Sequence, residues 1–459
     1  MNQSVIEIKM ARKKTDIPED PALRNEYFNK FAASALYDAD YIAIYLDAQL
    51  SAETGIPSIS SLLTNPACRA QNLTIDAFVT TRPFMEETVS EATIASAKPG
   101  ANLMLTNPNL FYGFWGTQYN SIMDIDPGSF YPTVLGWARN VLSKQPIPIG
   151  DAKSAKKPPA KYQIITTCVD GHGLKAVEAY EPTFKSNFTE LDGSLTNWVC
   201  ARPCQKTPWS FYKEFRFPVN DNLLVEDQII RQGRDLSDPA PQSLHPVTSF
   251  KRKYGGTTNA TVERIQKPTS AHPRCLQCGC LARPQLKPAN PKGSLLPTPI
   301  KTWYTTICKE IWPELDGEAM DIILRHHYTY LPANKKPPKP RGGCRRKFVI
   351  IELGCSSKSA LIRAEHDRIL AEGKGTVNLI RMAKNEGDLQ RDTSMDEQAM
   401  EQAKAERVEI NFEALYYPIV APTITDGIAT LQEFIDSRDS WIQEWDDPKR
   451  RALRYSKKK

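Results

Sequence analysis

The segment that decides the fold is the apolar run Lys347-Phe-Val-Ile-Ile-Glu-Leu353. Its β-branched and aromatic residues favour an extended strand. The apolar side chains occupy successive positions, which is typical of a strand buried on both faces of a sheet that helices cover. The run therefore predicts a central strand of an α/β domain.

The elements around this strand complete the predicted C-terminal domain. In chain order they are a strand at 319–324, an exposed proline-rich loop at 331–346, helical patterns at 358–371, around 377–382 and at 394–407, a strand at 415–421 and an amphipathic helix at 427–445. A capping box of Ser394 and Glu397 begins the third helical pattern. This order of elements predicts a small mixed sheet flanked by helices.

The chain before this domain divides by composition. Residues 21–142 carry apolar and aromatic side chains at helical spacing, Tyr41, Ile44 and Tyr45 among them, and predict a mainly helical N-terminal region. The β-branched run 162–168 begins a β-rich middle region. The predicted divisions are a helical domain 1–143, a Pro/Lys-rich linker 144–161, a middle region with a mobile arm 162–266, a Cys-rich knuckle 267–310, the α/β domain 311–445 and a basic tail 446–459.

Composition and charge bound the classes of protein. Of the 459 residues, 41% are hydrophobic and 24% charged, which argues against a wholly disordered chain. The net charge of +6 is mildly basic and compatible with a nucleic-acid partner. The sequence has no secretory h-region and no apolar run of about 18 residues. We therefore expect an intracellular protein, cytoplasmic or nuclear and not secreted, with no membrane partner; self-association stays open.

Several enzyme classes lack their sequence motifs. The chain has no glycine-rich loop of Walker or Rossmann spacing, which argues against a nucleotide-driven motor or a dehydrogenase. It also has no Gly-x-Ser-x-Gly nucleophile elbow. Candidate chemistry is therefore sought in clusters of cysteines and carboxylates.

A cysteine cluster predicts a zinc site. Cys275 and Cys278 are two residues apart, a spacing that brings two thiolates to one side of a turn, and His272 or Cys280 is the candidate third ligand. The further candidates are Cys308, Cys344, His326 and His327 for the fourth position and, for weaker separate sites, the pairs Cys200–Cys204 and Cys168–His172. Ordinary free thiols are the alternative interpretation.

Two carboxylates on predicted neighbouring strands indicate a second candidate site. Asp321 and Glu352 would emerge near one end of the sheet if their strands pair, and one or two carboxylates are what Mg²⁺ takes from a protein. A bound Mg²⁺ activates water and stabilises charge at phosphorus. Lys358 and Arg368 on the following helix are candidates for neutralising the transition state.

These residues resemble the PD-(D/E)XK restriction-like endonuclease superfamily, and they are most similar to the endonuclease domains of non-LTR retrotransposons. The resemblance covers roughly residues 300–440 and rests on Asp321, on Glu352-Leu-Gly-Cys355, on the helix with His366 and Arg368, and on the strand 416–420 followed by Gly427. It implies that Asp321 and Glu352 are metal ligands and that Arg368 or Lys358 is the basic residue of the site. A cysteine-rich knuckle often lies upstream in that family, as the Cys275 cluster does here.

The predicted function is a nucleic-acid-associated protein with a Mg²⁺-dependent nuclease domain and a zinc knuckle. The high proline content, dense aromatics and lysine-rich segments favour, as an alternative, a non-enzymatic viral or mobile-element protein of capsid, nucleocapsid or other virion type. A catalytically inactive nuclease fold kept for binding is the third hypothesis. Whether the chain is an enzyme is left open; if it is, the resemblance implies a metal-dependent phosphodiesterase.

Overall fold

The protein is an α/β structure. The computed structural model describes residues 17–78, 103–144, 160–201, 207–225, 265–266, 272–275, 277–286, 298–311, 347–356, 360–373, 376–405, 412 and 415–446. A sheet of six strands lies at the centre, with helices packed against it. The predicted α/β class is confirmed.

All strand pairs of the central sheet are parallel. The strands of the described residues are β1 Tyr41–Leu46, β2 Tyr162–Thr166, β3 Phe188–Glu190, β4 Gly193–Cys200, β5 Ser210–Phe211, β6 Ile265–Gln266, β7 Ala282–Leu286, β8 Phe348–Leu353, β9 Val377–Ala383 and β10 Tyr416–Val420. The order in the sheet is β3-β2-β1-β8-β9-β10. The sheet is thus larger than the predicted small mixed sheet, and it is purely parallel.

Helices connect and cover these strands. They are α1 Pro21–Asp38, α2 Gln49–Glu53, α3 Ile59–Leu63, α4 Pro66–Arg69, α5 Ile75–Phe78, α6 Leu103–Thr106, α7 Pro108–Asp124, α8 Tyr131–Ser143, α9 His172–Tyr180, α10 Thr298–Ile311, α11 Ala360–Glu372, α12 Asp396–Ala405, α13 Ile424–Asp436 and α14 Arg438–Asp446, with 3₁₀ turns at Pro182–Asn187 and Glu386–Leu389. Asp20 caps α1 by accepting from the N–H groups of Ala22 and Leu23. Thr423 caps α13 in the same way through the N–H of Asp426.

Alternate residues of β1 enter the two cores on opposite faces of the sheet. Ile42 and Ile44 pack in the core that α1, α8, α9 and α13 cover. Tyr45 and its alternates pack in the core that α10 and α11 cover. Both faces of the sheet are therefore buried, as expected for parallel strands.

Two segments predicted as helical are strands. Tyr41–Leu46 is β1 and Val377–Ala383 is β9. All six residues of β1 are buried, so an apolar run at helical spacing serves equally well as a strand covered on both faces. In β9 the charge of Arg381 mimics a polar helix face, but this side chain is fully buried. The predicted strand 319–324 and loop 331–346 lie outside the described residues.

A separate aromatic core lies between α7 and the antiparallel strands β4 and β7. Phe111, Phe114, Trp115 and Tyr119 of α7 are all buried in it. These rings are therefore not exposed for stacking on nucleic-acid bases. The structure offers no support for the nucleic-acid partner there.

Among the described residues, no helix is both long and apolar enough to cross a membrane. The predicted boundaries of the domains and the linker are not tested by these observations and stay predictions. Strand β1, near the N-terminus, pairs with β8 over six residue pairs, from Tyr41↔Phe348 to Leu46↔Leu353.

Replacement by alanine should have opposite effects on stability at two glycines that lie in helices. A Cβ at Gly427 in α13 would lie 2.7 Å from the Cβ of Ala421 and would contact the sulfur of Met382, whereas a Cβ at Gly136 in α8 meets nothing within 4 Å. We expect Gly427→Ala to lower the free energy of unfolding by about 1–3 kcal/mol through overpacking. We expect Gly136→Ala to raise it by about 0.5–1 kcal/mol through helix propensity. Urea denaturation of both variants measures this, and equal effects would show that α13 does not pack as described.

Candidate functional site at the carboxyl edge of the sheet

The candidate site lies where the order in which successive strands are added to the sheet reverses. The six sheet strands, numbered among themselves, run in the order 3-2-1-4-5-6, and the reversal falls between β1 and β8. In open parallel sheets, ligands bind outside the carboxyl ends of the strands at this point. The segments that follow β1, β2 and β8 there, residues 47–51, 167–172 and 354–356, are called the switch-point loops below.

Asp47 joins the three switch-point loops through its carboxylate. Its Oδ1 accepts from the N–H of Ala48 at 2.8 Å and from the hydroxyl of Thr167 at 2.7 Å. Its Oδ2 accepts from the N–H of Ser356 at 3.1 Å, with the Ser356 hydroxyl at 3.4 Å. The residue is only 4% exposed, so this carboxylate is satisfied inside the protein rather than by bulk water.

Asp170 forms a second carboxylate contact at the same edge. Its Oδ2 accepts from the hydroxyl of Ser51 on α2 at 2.6 Å, and its Oδ1 accepts from the N–H of His172 at 2.8 Å. Asp170 is 3% exposed. The loop after β2 is thereby held against the short helix that follows β1.

Two glycines let these loops approach their neighbours. Gly171 and Gly354 have φ of +69° and +74°, a left-handed conformation that favours glycine. A Cβ at Gly171 would lie 2.8 Å from Oγ1 of Thr196, and one at Gly354 would lie 3.1 Å from Cβ of Gln49. Both positions therefore require glycine for conformation and for space.

Two buried acceptors in the switch-point loops have no hydrogen-bond partner among the described residues. They are Oε1 of Gln49 and Nδ1 of His172. The Nε2 of the fully buried His172 lies 3.1 Å from the carbonyl oxygen of Ile122 and must donate to it, which leaves Nδ1 as the acceptor. A buried acceptor without a donor is costly, and it points to a ligand or water at this place.

Glu53 secures the far end of α2. Its carboxylate accepts from the N–H groups of Ile424 and Thr425 at 2.7 and 3.0 Å and pairs with Lys384 at 2.9 Å. Burial alone would raise the pKa of Glu53, but these hydrogen bonds outweigh it and lower the pKa. The segment after β1 is thus tied to the N-terminus of α13.

The predicted magnesium ligand Glu352 lies inside the sheet, not at its edge. The residue is 0% exposed, and its carboxylate is bonded by the guanidinium of Arg381 and by Nδ1 of His366 at 2.7 Å. Burial alone would raise the pKa of Glu352, but Arg381 and His366 lower it to about 2. The Nε2 of His366 lies 2.8 Å from the hydroxyl of Tyr304. A carboxylate so enclosed has no free face for a metal ion or a phosphodiester, and the magnesium prediction is wrong.

Arg368, the other predicted nuclease residue that the structure describes, has its ion pairs elsewhere than at Glu352. Arg368 pairs with Glu365 and Glu372 of its own helix, at 2.7 and 2.5 Å. Asp321 and Lys358 lie outside the described residues.

The cysteine cluster brings together part of the predicted zinc set and one further cysteine. The sulfurs of Cys200, Cys275 and Cys278 lie within 4.8 Å of one another. Cys280 is not in this group, although its carbonyl accepts from the N–H of Cys275 at 2.7 Å. The Nε2 of His272 is instead 2.7 Å from Oδ1 of Asn109. Cys204, His326, His327 and Cys344 and the side chain of Cys308 lie outside what the structure describes.

The three thiols suit a zinc ion chemically. Thiolates are preferred zinc ligands, and Zn–S bonds of about 2.3 Å in a tetrahedron separate the sulfurs by about 3.8 Å. The sulfurs of Cys200 and Cys278 are 3.4 Å apart. Cys275 is buried and Cys278 is exposed.

A surface groove of 480 Å³ lies apart from these features. It is lined by residues of α1, α8 and α13, including Leu36, Trp137 and Gln432, and by no residue of the switch-point loops. The lining carries no acidic or basic side chain. The groove therefore has no charged side chain that could bind an ionic ligand.

Asp47, Thr167, Asp170 and Ser356 are not among the site residues that the sequence predicts. The available signal was that polar residues follow directly on the apolar runs of β1, β2 and β8. The helical spacing of the apolar residues in Tyr41–Leu46 predicts a helix, and a helix has no carboxyl end at a sheet edge. The absence of a glycine-rich turn removed the usual motif for such an edge.

The buried carboxylate predicts a large effect on stability. We expect Glu352→Gln to lower the free energy of unfolding by about 3–5 kcal/mol, because Arg381 would lose the carboxylate that takes two of its hydrogen bonds and keep only Asp367 as a charged partner. Glu372→Gln, which alters an exposed pair on α11, should cost about 0.5 kcal/mol or less. Guanidinium denaturation at neutral pH measures both, and equal costs would contradict the buried pair.

The difference in stability between the wild type and Glu352→Gln should depend on pH. Because the folded pKa of Glu352, about 2, lies below the ordinary value of 4.5, its contribution is present above that value and is lost as the pH falls toward 2. The stability gap between the wild type and Glu352→Gln should therefore narrow on acidification. A gap that widens in acid would contradict this assignment.

Comparisons with known proteins find similar structures in a different protein family from the predicted one. No protein-family model matches the chain, and no curated protein matches it. A solved structure described as the structural basis of sirtuin substrate affinity has a TM-score of 0.41 and 12% identity, covering 87% of this chain and 96% of that one. A complex of a Sir2 homologue with NAD has a TM-score of 0.38 and 10% identity, covering 88% and 93%. Sir2 bound to an acetylated peptide has a TM-score of 0.38 and 11% identity, covering 87% and 95%.

These similar structures are sirtuins and not PD-(D/E)XK endonucleases. The predicted resemblance to those endonucleases is wrong, because Glu352 is enclosed in the core and the sheet is purely parallel. The predicted nuclease function is therefore wrong, and so are its two alternatives, the inactive nuclease fold and the capsid-like or mobile-element protein. The predicted magnesium cofactor is wrong as well.

Proposed function

We propose that the chain binds a dinucleotide of the NAD type at the switch-point loops. The observation that carries the proposal is the parallel strand order 3-2-1-4-5-6, with its reversal between β1 and β8. This order is the one in which dinucleotides bind across the carboxyl ends of the central strands. Fold alone does not assign a function, so the proposal also needs the chemistry of the loops.

The side chains of the loops match the polar groups of a dinucleotide. Ribose hydroxyls and the nicotinamide amide donate hydrogen bonds, and Oε1 of Gln49 and Nδ1 of His172 are buried acceptors without donors. Carboxylates such as Asp170 are suitable acceptors for ribose hydroxyls. The proposal assigns the unsatisfied acceptors to the ligand.

The left-handed glycines support the same proposal. Gly354 brings the loop after β8 against Gln49, and Gly171 brings the loop after β2 against β4. Backbone at these points is free of side-chain bulk on the side facing the neighbouring element. Ligand groups held between loops from three adjacent strands need such close backbone packing.

Binding of NAD by the full-length chain tests the proposal. We expect saturable binding in isothermal titration calorimetry, with Gln49→Ala weakening the affinity about tenfold because a buried hydrogen bond to the ligand is lost. Gln432→Ala is the matched control, since the Oε1 of Gln432 accepts from Trp137 at 2.7 Å in the groove described above. The proposal fails if neither NAD nor ADP-ribose binds the wild type at millimolar concentration, or if both variants weaken binding equally.

We also propose that Cys200, Cys275 and Cys278 hold a structural zinc ion. The support is the convergence of three sulfurs from β4 and from the turn at 275–278. Such an ion would fix this turn to the end of β4, beside the aromatic core. Structural zinc sites are closed by four protein ligands, so the proposal requires a fourth protein ligand beside these three sulfurs.

Metal analysis of purified protein tests the zinc site. We expect about one zinc per chain, lost in Cys278→Ser and retained in Cys280→Ser, because only the first sulfur belongs to the converging group. Chelation should lower the melting temperature of the wild type and of Cys280→Ser but not that of Cys278→Ser. The assignment is contradicted if the wild type, purified without chelator, contains no zinc. It is also contradicted if zinc is lost in Cys280→Ser alone.

A further inference from the structure

The N–H groups at the switch point already have an anionic partner. In nucleotide sites of this topology, backbone N–H groups in the turn after the first strand hold the ligand's phosphates. Here the N–H of Ala48 donates to Oδ1 of Asp47 at 2.8 Å, and the N–H of Ser356 donates to Oδ2 at 3.1 Å. One carboxylate thus bridges donors that belong to the loops after β1 and β8.

We propose that Asp47 is a specificity-determining residue whose carboxylate occupies the anion position of the switch-point loops. A phosphate group reaches these N–H donors only after Asp47 has moved away. This inference rests on the dinucleotide site proposed above and restricts it: the chain disfavours diphosphate ligands relative to a chain without this carboxylate. Uncharged parts of a ligand, such as ribose, are not excluded.

The surroundings fix Asp47 in this position. Thr167 donates its hydroxyl to Oδ1 at 2.7 Å, and the hydroxyl of Tyr45 lies 3.1 Å from Thr167 Oγ1. The carboxylate is therefore held from β2 as well as from the loops after β1 and β8. A residue anchored on three strands acts as part of the site and not as a mobile surface charge.

Charge at the site acts in the same direction. Asp170 is a second buried carboxylate at this edge, and Lys175 of α9, half-buried, interacts with it electrostatically. The Nζ of Lys384 pairs with Glu53. A pyrophosphate would bring further negative charge beside Asp47 in a place where water screens poorly. The unsatisfied Nδ1 of His172 and Oε1 of Gln49 are acceptors too, and they point to a ligand that donates hydrogen bonds.

Removal of the charge tests the proposal, with inorganic pyrophosphate as the first probe. We expect Asp47→Asn to bind pyrophosphate at least about tenfold more tightly than the wild type, because a backbone N–H is released and a like charge is removed. Asp40→Asn is the matched control: it removes the same charge at the opposite end of β1, where Asp40 accepts from the N–H of Lys347 at 2.8 Å. Titration calorimetry of the full chain measures all three proteins.

Each outcome decides the inference. A gain in Asp47→Asn and none in Asp40→Asn supports it, and equal or weaker pyrophosphate binding by Asp47→Asn overturns it. If thermal unfolding shows that Asp47→Asn does not fold, Asp47→Ser replaces it, since serine also lacks the negative charge and is shorter than aspartate. The same gain is then expected, and its absence is equally decisive.

A second titration with NAD separates this inference from the proposed function. A gain for pyrophosphate without NAD binding by any variant sustains the role of Asp47 and refutes the dinucleotide. Tight NAD binding by the wild type that Asp47→Asn does not improve sustains the dinucleotide and refutes the role of Asp47. A gain for both ligands supports both proposals.

Discussion

The parallel pairing of β1 with β8 is the contact on which the rest of the structure depends. It holds six residue pairs in register, and it brings Asp47 and Ser356, 309 residues apart in the chain, within hydrogen-bond distance. Closing a segment of this length costs entropy, but that cost grows only slowly with length. Burial of both strands on both faces offsets it, and the two halves of the sheet extend outward from this pair.

The register of the neighbouring pair is fixed by charge. Glu352 of β8 lies directly opposite Arg381 of β9 in the ladder, and both side chains are fully buried. A shift of one residue would place the two charged groups on opposite faces of the sheet and leave both without each other in an apolar core. The remaining atoms of the pair are satisfied by His366 and Asp367. The buried ion pair therefore specifies one alignment of the strands, a role that an apolar pair would not perform.

The sequence could predict the elements whose signals are local. The strand around Lys347–Leu353, the strand at 416–420 and the strand at 162–166 all lie in predicted strands, because β-branched runs bounded by turns are local patterns. β9 is not predictable as a buried strand, because the partner that neutralises Arg381 comes from another part of the chain. The site could not be predicted for the same reason. Asp47, Thr167 and Ser356 meet only when three strands are aligned, and no residue spacing encodes that alignment.

The missing glycine-rich turn and the bonded Asp47 are two aspects of one arrangement. A glycine after the first strand leaves backbone N–H groups free for a phosphate, whereas this chain places an aspartate there. Asp47 supplies the N–H groups of Ala48 and Ser356 with a hydrogen-bond partner in the unliganded protein. These two N–H groups are therefore satisfied without ligand, and any anion that binds them must first break bonds that the protein makes to itself. Affinity for phosphate is reduced by the same contacts that stabilise the edge of the sheet.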